Sequence, residues 1–320
     1  MKEGDIFGLH YYEAGKGEPL VLLHAQGTDS TSFESVIPKL AKHYHVYAID
    51  CFGHGKSLHD AELYTLIDCA SAVSEFIREV VKEKTILLGH SSGGLIAAQV
   101  AAATDFCSRL ILEDPPFFSS EGERRLSTFN YVDLSSVCHA FLAQTEETDF
   151  VQYYFQNQYA WNFFPEESRE KIREKLSGMA KKYRMRHPEK NLKVPFWPKA
   201  ALAAFVGMNN YDPRFGEAFY TDSFHAGVTH AEILQKISCE TVFLKAETNF
   251  SSEGILFCAL SDEDLSAVER LVKNIRVVRF ACGHAIHIER RKEFLQAVLA
   301  SGRKLFSFFV CWVLAIALDA

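Results

Sequence analysis

No C-x-x-C pair and no zinc-like Cys/His spacing occurs among the eight cysteines of this 320-residue sequence (positions 51, 69, 107, 138, 239, 258, 282 and 311). Their absence excludes the common dithiol and zinc modules and leaves buried thiols in a reducing compartment as the expected state. A basic excess is missing too: 34 Lys and Arg face 41 Asp and Glu, a net charge of −7, with the basic residues scattered along the chain. That balance offers no electrostatic footprint for nucleic acid or an anionic membrane, so the expected partner is a small molecule. The first residues, Met1 to Asp5, lack the basic start and apolar run of a signal peptide, and the expected location is the cytoplasm. There is also no G-x-G-x-x-G, no Walker loop and no H-E-x-x-H, and neither a cofactor nor a metal is expected. The apolar run at 305–318 is fourteen residues long, short of the roughly 17–25 that span a bilayer. Packing on the core, docking on a partner and membrane association through residues 305–318 all remain open for it.

What is present begins with a 48% hydrophobic composition, enough to bury a sizeable core. Short apolar runs at 7–12, 20–24, 46–50 and 85–88 alternate with helical periodicity at 32–42 and 66–81, a pattern that predicts an α/β architecture with a mostly parallel sheet covered on both faces. A further strand is expected at 109–113, but the next convincing ones, 241–246 and 275–280, follow only after a long helical and aromatic stretch. That gap is too long for a crossover and implies an insertion. The expected organisation is an α/β core over 1–116 and 231–302, an inserted helical cap over 117–230, and an apolar tail at 303–320. The cap is dense in aromatic residues, and Phe117, Trp161 and Trp197 are expected to line a substrate pocket, since pockets are mainly apolar walls with few polar groups.

The chemistry is carried by residues 85–98, where a strand runs into Gly89-His90-Ser91-Ser92-Gly93 and then a small-residue helix. A G-x-S-x-G turn between strand and helix is a nucleophile elbow: it pushes the serine hydroxyl outward, and the glycines remove side chains that would clash. Serine needs a base to take its proton. His284 is the candidate, in a loop after the last core strand; His287, three residues on, is expected to cap or pack, and the His90 side chain to point away from the elbow tip. The oxyanion formed on acyl transfer needs two preorganised N–H groups. Ser92 is expected to supply one, and the loop Leu22 to Asp29 the other through Gln26, with His24 bracing that loop.

His24-Ala25-Gln26-Gly27, residues 50–57, Gly89 to Gly93 and Gly283-His284, in this order, resemble the capped α/β-hydrolase superfamily, in its serine-nucleophile, esterase-like branch. The resemblance covers residues 7 to about 300 and implies the α/β-hydrolase fold: eight core strands, with a helical cap inserted between the sixth and seventh. Serine at 91 separates the chain from epoxide hydrolases and haloalkane dehalogenases of this fold, which carry aspartate there. The implied activity is cleavage of a small or medium apolar carboxylic ester, or a related acyl compound, through an acyl-enzyme on Ser91 activated by His284. Some members resembling this fold are instead ligand receptors or signalling proteins with little turnover, and the 24–29 loop looks somewhat like theirs. The triad acid usually follows the seventh strand, yet Asn249 falls at that place. Asp114, after the sixth strand, is therefore the expected acid, with Glu247, after the seventh, as the alternative.

Overall fold

The computed structural model describes residues 1–195, 197 and 202–301; the apolar tail, including 305–318, lies outside the described residues. Eight strands form one sheet: β1 (Lys2–Ile6), β2 (Leu9–Gly15), β3 (Glu18–Leu23), β4 (Tyr44–Ile49), β5 (Thr85–His90), β6 (Cys107–Glu113), β7 (Glu240–Lys245) and β8 (Ile275–Arg279). Their order is β1-β2-β4-β3-β5-β6-β7-β8. β1 and β2 pair antiparallel, as do β2 and β4, and every other neighbour is parallel. The strand that leads into Ser91, β5, is thus central, flanked by β3 on one side and β6 on the other.

Continuous apolar runs make the central strands because both faces are covered. In β3, Leu20 and Leu22 join the core on one face, with Phe33, Ile37, Phe294 and Val298, while Val21 and Leu23 join the core on the other. β5 alternates in the same way, with Ile86 and Leu88 opposite Leu87. This two-sided burial is the signature of a parallel sheet with helices on both faces.

Two local expectations change. The run at 7–12 is not one strand: Phe7 (φ 51°) and Gly8 (φ 76°) make a tight turn, so that Lys2–Ile6 pairs with Leu9–Tyr12 and the following residues as a hairpin. Positive φ at both central residues matches the right-handed twist of the strands. The helix expected over 32–42 is broken into a 3₁₀ turn, Ser30–Phe33, capped by the Asp29 side chain, and a short helix, Ile37–Leu40, with proline in its first turn. Pro38 has no N–H to continue a hydrogen-bonded spiral from the preceding turn.

Residues 114–239 separate β6 from β7 and contain the helices Ser136–Leu142, Phe150–Asn157, Glu166–Arg186, Pro213–Thr221 and His230–Lys236. Aromatic rings bind this segment internally. Trp161 and Trp197 lie 4.8 Å apart between centroids, and Phe155 meets both edge-on. The charged helix Glu166–Arg186 turns most of its residues to solvent and buries only Leu176, Ser177, Ala180 and Arg184.

Candidate active site

β5 ends at His90 and a twelve-residue helix, Ser92–Ala103, starts two residues later. Ser91 at the corner has φ 55° and ψ −121°, a conformation that non-glycine residues rarely adopt and that costs about 1–3 kcal/mol. The flanking glycines make the corner possible. A Cβ on Gly89 would sit 2.2 Å from the Gly93 carbonyl oxygen, and one on Gly93 would sit 2.3 Å from that of Leu23. Backbone occupies both spaces, so no side chain fits.

Asp114 follows β6 directly and is fully buried. Its Oδ2 lies 2.9 Å from His284 Nδ1 and accepts from Ala259 N at 3.4 Å, while Oδ1 accepts from Ala246 N at 3.2 Å. Glu247 is exposed; its backbone N–H donates to the Cys282 carbonyl. Of the two candidate acids, the fold brings Asp114 to the imidazole. The reason is topological: β6 and β7 are parallel neighbours that end together, Glu113 opposite Leu244, and the loop after β8 folds back over both.

The residue before each of Ser91 and Asp114 grips the His284 loop. His90 Nε2 donates to the His284 carbonyl at 3.1 Å. Glu113 Oε1 accepts from the His287 backbone N–H and from its Nδ1, each at 2.8 Å. All three side chains are buried. Burial pushes the His90 imidazole down to about 3, so it stays neutral. Burial alone would raise Glu113, but the charge and hydrogen bonds of His287 outweigh it and hold the carboxyl below its usual value. Among the described residues, His90, Glu113 and His287 are also the group whose metal-ligand atoms converge, within 4.8 Å of one another. The hydrogen bonds above already occupy His90 Nε2, His287 Nδ1 and the Glu113 carboxylate, and the trio acts as a clamp.

On the opposite side, His24 braces the loop after β3. Its Nε2 accepts from the Cys51 N–H at 2.9 Å and its Nδ1 donates to the Ala25 carbonyl at 2.8 Å. Gly27 N donates to His54 Nε2 at 3.1 Å. The Gln26 side chain is drawn away to the Tyr211 hydroxyl, 3.0 Å distant. Among the described residues, the backbone N–H groups of Gln26 and Ser92 have no acceptor. Both residues line the same cavity as Ser91 and His284.

That cavity has a volume of about 320 Å³. Its wall is not the one expected from the sequence. Phe117, Trp161 and Trp197 lie outside it and are buried elsewhere: Phe117 packs edge-on against His230 under the insertion, and the two tryptophans fill the interior of the insertion. Large apolar side chains gain most from full burial, and here the hydrophobic centre of the insertion claims them. The wall instead takes Leu134, Met208 and Phe219 from the insertion and Phe257 from the loop after β7. That loop reaches the insertion through backbone: Phe129 N donates to the Leu256 carbonyl, and Leu256 N to that of Ser127, both at 2.9 Å. Its length and lack of periodicity hid it in the sequence. Lys245, wholly buried with Nζ 3.8 Å from Asp114 Oδ1, was also missed, although a lone cation at the end of an apolar strand is a visible signal.

Shrinking the true wall and the aromatic interior should have separable effects. Phe257→Ala is expected to shift the kcat/KM ratio of an octanoyl to an acetyl ester by about tenfold, the usual scale for a change of pocket volume. Trp161→Ala should leave that ratio unchanged and lower stability by about 3–5 kcal/mol, read from denaturant unfolding.

Comparison with known proteins accords with this geometry. The Alpha/beta hydrolase family pattern matches residues 20–297. A (E)-2-((N-methylformamido)methylene)succinate hydrolase of Acinetobacter baylyi is 40% identical over 95 residues, 29% of this chain and 35% of that protein. A pimeloyl-acyl-carrier-protein methyl ester esterase of Yersinia pseudotuberculosis is 32% identical over 118 residues, 36% of this chain and 44% of that protein. The chain thus spans less than half the length of these curated relatives. The crystal structure of an esterase from Rhodococcus sp. superposes with a TM-score of 0.61 at 22% identity, covering 91% of this chain and 93% of that one. No helix among the described residues is long and apolar enough to cross a membrane. With a match over most of its length and an eight-stranded sheet of the corresponding type, the chain belongs to the alpha/beta hydrolase family.

Proposed function

We propose that this protein is a serine hydrolase that cleaves a small or medium, uncharged carboxylic ester or related acyl compound through an acyl-enzyme. The observation that carries the reading is the 2.9 Å contact between His284 Nδ1 and the buried Asp114 carboxylate, in a cavity that also holds the strained Ser91. Ser91 Oγ attacks the acyl carbon while His284 Nε2 takes its proton. Asp114 holds Nδ1–H, so that Nε2 is the free acceptor, and stabilises the imidazolium that forms. The oxyanion is received by the unpaired N–H groups of Gln26 and Ser92, the latter at a helix N-terminus whose dipole favours negative charge. His284 then returns the proton to the leaving alcohol, and water repeats the sequence on the acyl-enzyme.

The volume of the cavity, about 320 Å³, suits a small or medium acyl group. No Lys or Arg lines it among the described residues, which supports an uncharged acyl chain over one carrying its own carboxylate. Residues 117–230 serve, in this reading, as a cap that closes the site from above. The test is labelling with a fluorophosphonate probe followed by peptide mapping. A single adduct on Ser91, with slow or no labelling of His284→Ala, is expected; folded wild-type protein without an adduct on Ser91 overturns the reading. Turnover of p-nitrophenyl esters separates an enzyme from a ligand receptor on the same fold.

A further inference from the structure

Lys245 ends β7 with its side chain fully buried. Removing an ammonium from water costs several kcal/mol unless an anion and hydrogen bonds compensate. Its Nζ donates to the Ala246 carbonyl at 2.5 Å, and among the described residues the one carboxylate within ion-pair distance is Asp114, 3.8 Å away. The Asp114 carboxylate is therefore divided: Oδ2 faces His284 and Oδ1 faces Lys245. We infer that Lys245 is a positioning residue that acts through Asp114: by sharing the carboxylate, its ammonium holds Asp114 toward His284 and opposes a second positive charge on the same carboxylate. The inference rests on the proposed roles of Ser91, His284 and Asp114.

The direction follows from charge. When His284 takes the serine proton it becomes a second cation on one carboxylate, and the nearby ammonium opposes that. In the interior, where charges interact more strongly than in water, removing that opposition should move the acid limb of the pH profile by about one pH unit. Among the described residues, the other titratable or charged groups near Lys245 are Cys258 and Asp262 in the segment after β7 and Arg279 across the β7–β8 register. Arg279 is exposed and paired with Asp262. Around His284 stand His90, whose ring centroid is 4.6 Å away, and behind it the Glu113–His287 pair. Lys245 is distinguished from all of these by facing the same carboxylate as the base.

The experiment measures the rate of fluorophosphonate labelling of Ser91, and kcat/KM for p-nitrophenyl acetate, between pH 5 and 9 in wild type, Lys245→Met, Lys245→Gln and Lys245→Arg. Near-ultraviolet circular dichroism checks the fold of each. Gln keeps a donor for the Ala246 carbonyl and removes only the charge. The acid limb is expected to move about one pH unit upward in the Met and Gln variants and to return toward wild type in Arg. A parallel measurement needs no variant: nitrogen-15 NMR of the wild-type lysine side chains should show a buried, charged Lys245 ammonium. An acid limb unmoved in folded Gln or Met protein, or a neutral Lys245 amine across this range, overturns the inference. Failure of wild-type Ser91 to label would instead overturn the catalytic assignment on which it rests.

Discussion

Ser91→Ala and His284→Ala are each expected to lower kcat/KM for a p-nitrophenyl ester by about 10⁵ to 10⁶-fold, and the double variant by no more than either alone. Residues that act as one unit lose nearly everything with the first removal, and what remains comes from binding and the oxyanion site. The proposed nucleophile and base meet that condition, because a serine hydroxyl at the elbow does nothing without a group to take its proton. His287→Ala is the control. His287 satisfies the buried Glu113 carboxylate through both its backbone and its ring, and removing the ring is expected to cost about 3–5 kcal/mol of stability, the scale for breaking a buried pair. Activity per folded molecule, normalised to labelled Ser91, should stay within about tenfold of wild type, since the backbone contact and the His90 bond to the His284 carbonyl still hold the loop. If the His287 variant, normalised in this way, were as inactive as His284→Ala, the base would have to be reassigned.

Asp114→Asn is expected to lower turnover by about 10⁴-fold, as the equivalent change does in serine proteases. The physical cause is the tautomer. The Asp114 oxygens accept from Ala246 N and Ala259 N as well as from His284. An amide turns one oxygen into a donor, and with the Oδ1 side engaged by Ala246 N its NH₂ faces His284 Nδ1. The imidazole then carries its proton on Nε2 and presents no lone pair to Ser91. Some stability should be lost too, because the buried Lys245 ammonium would face a neutral group, so turnover must be normalised to labelled protein. Glu247→Gln is expected to leave turnover within about twofold, as an exposed side chain away from the imidazole has little to lose. The opposite ranking in folded variants would move the acid to the loop after β7.

Much of this was legible without coordinates because it is local. The β5–turn–helix sequence announces the elbow: Gly89 and Gly93 flank a serine exactly where backbone must pass backbone, and the apolar runs of β3, β5 and β6 report burial on both faces. His284 stood out as the candidate base by its place after the last strand, and the insertion by its length. The sequence favoured Asp114 as the candidate acid, with Glu247 as the alternative, but could not decide between them, since the choice depends on the parallel register of β6 and β7 and on the path of the 280–285 loop. The pocket wall was misassigned for a related reason. Composition identifies which residues seek burial, but Trp161 and Trp197 satisfy that demand against each other, while Leu134, Met208 and Phe257, unremarkable in sequence, arrive at the cavity from three separate segments. Charge pairing between distant strands was hidden as well: Lys245 and Asp114, and Glu113 and His287, meet only when the sheet is assembled. Short-range backbone sterics and hydrophobic periodicity are written along the chain, whereas which buried charge finds which partner is decided only by tertiary packing.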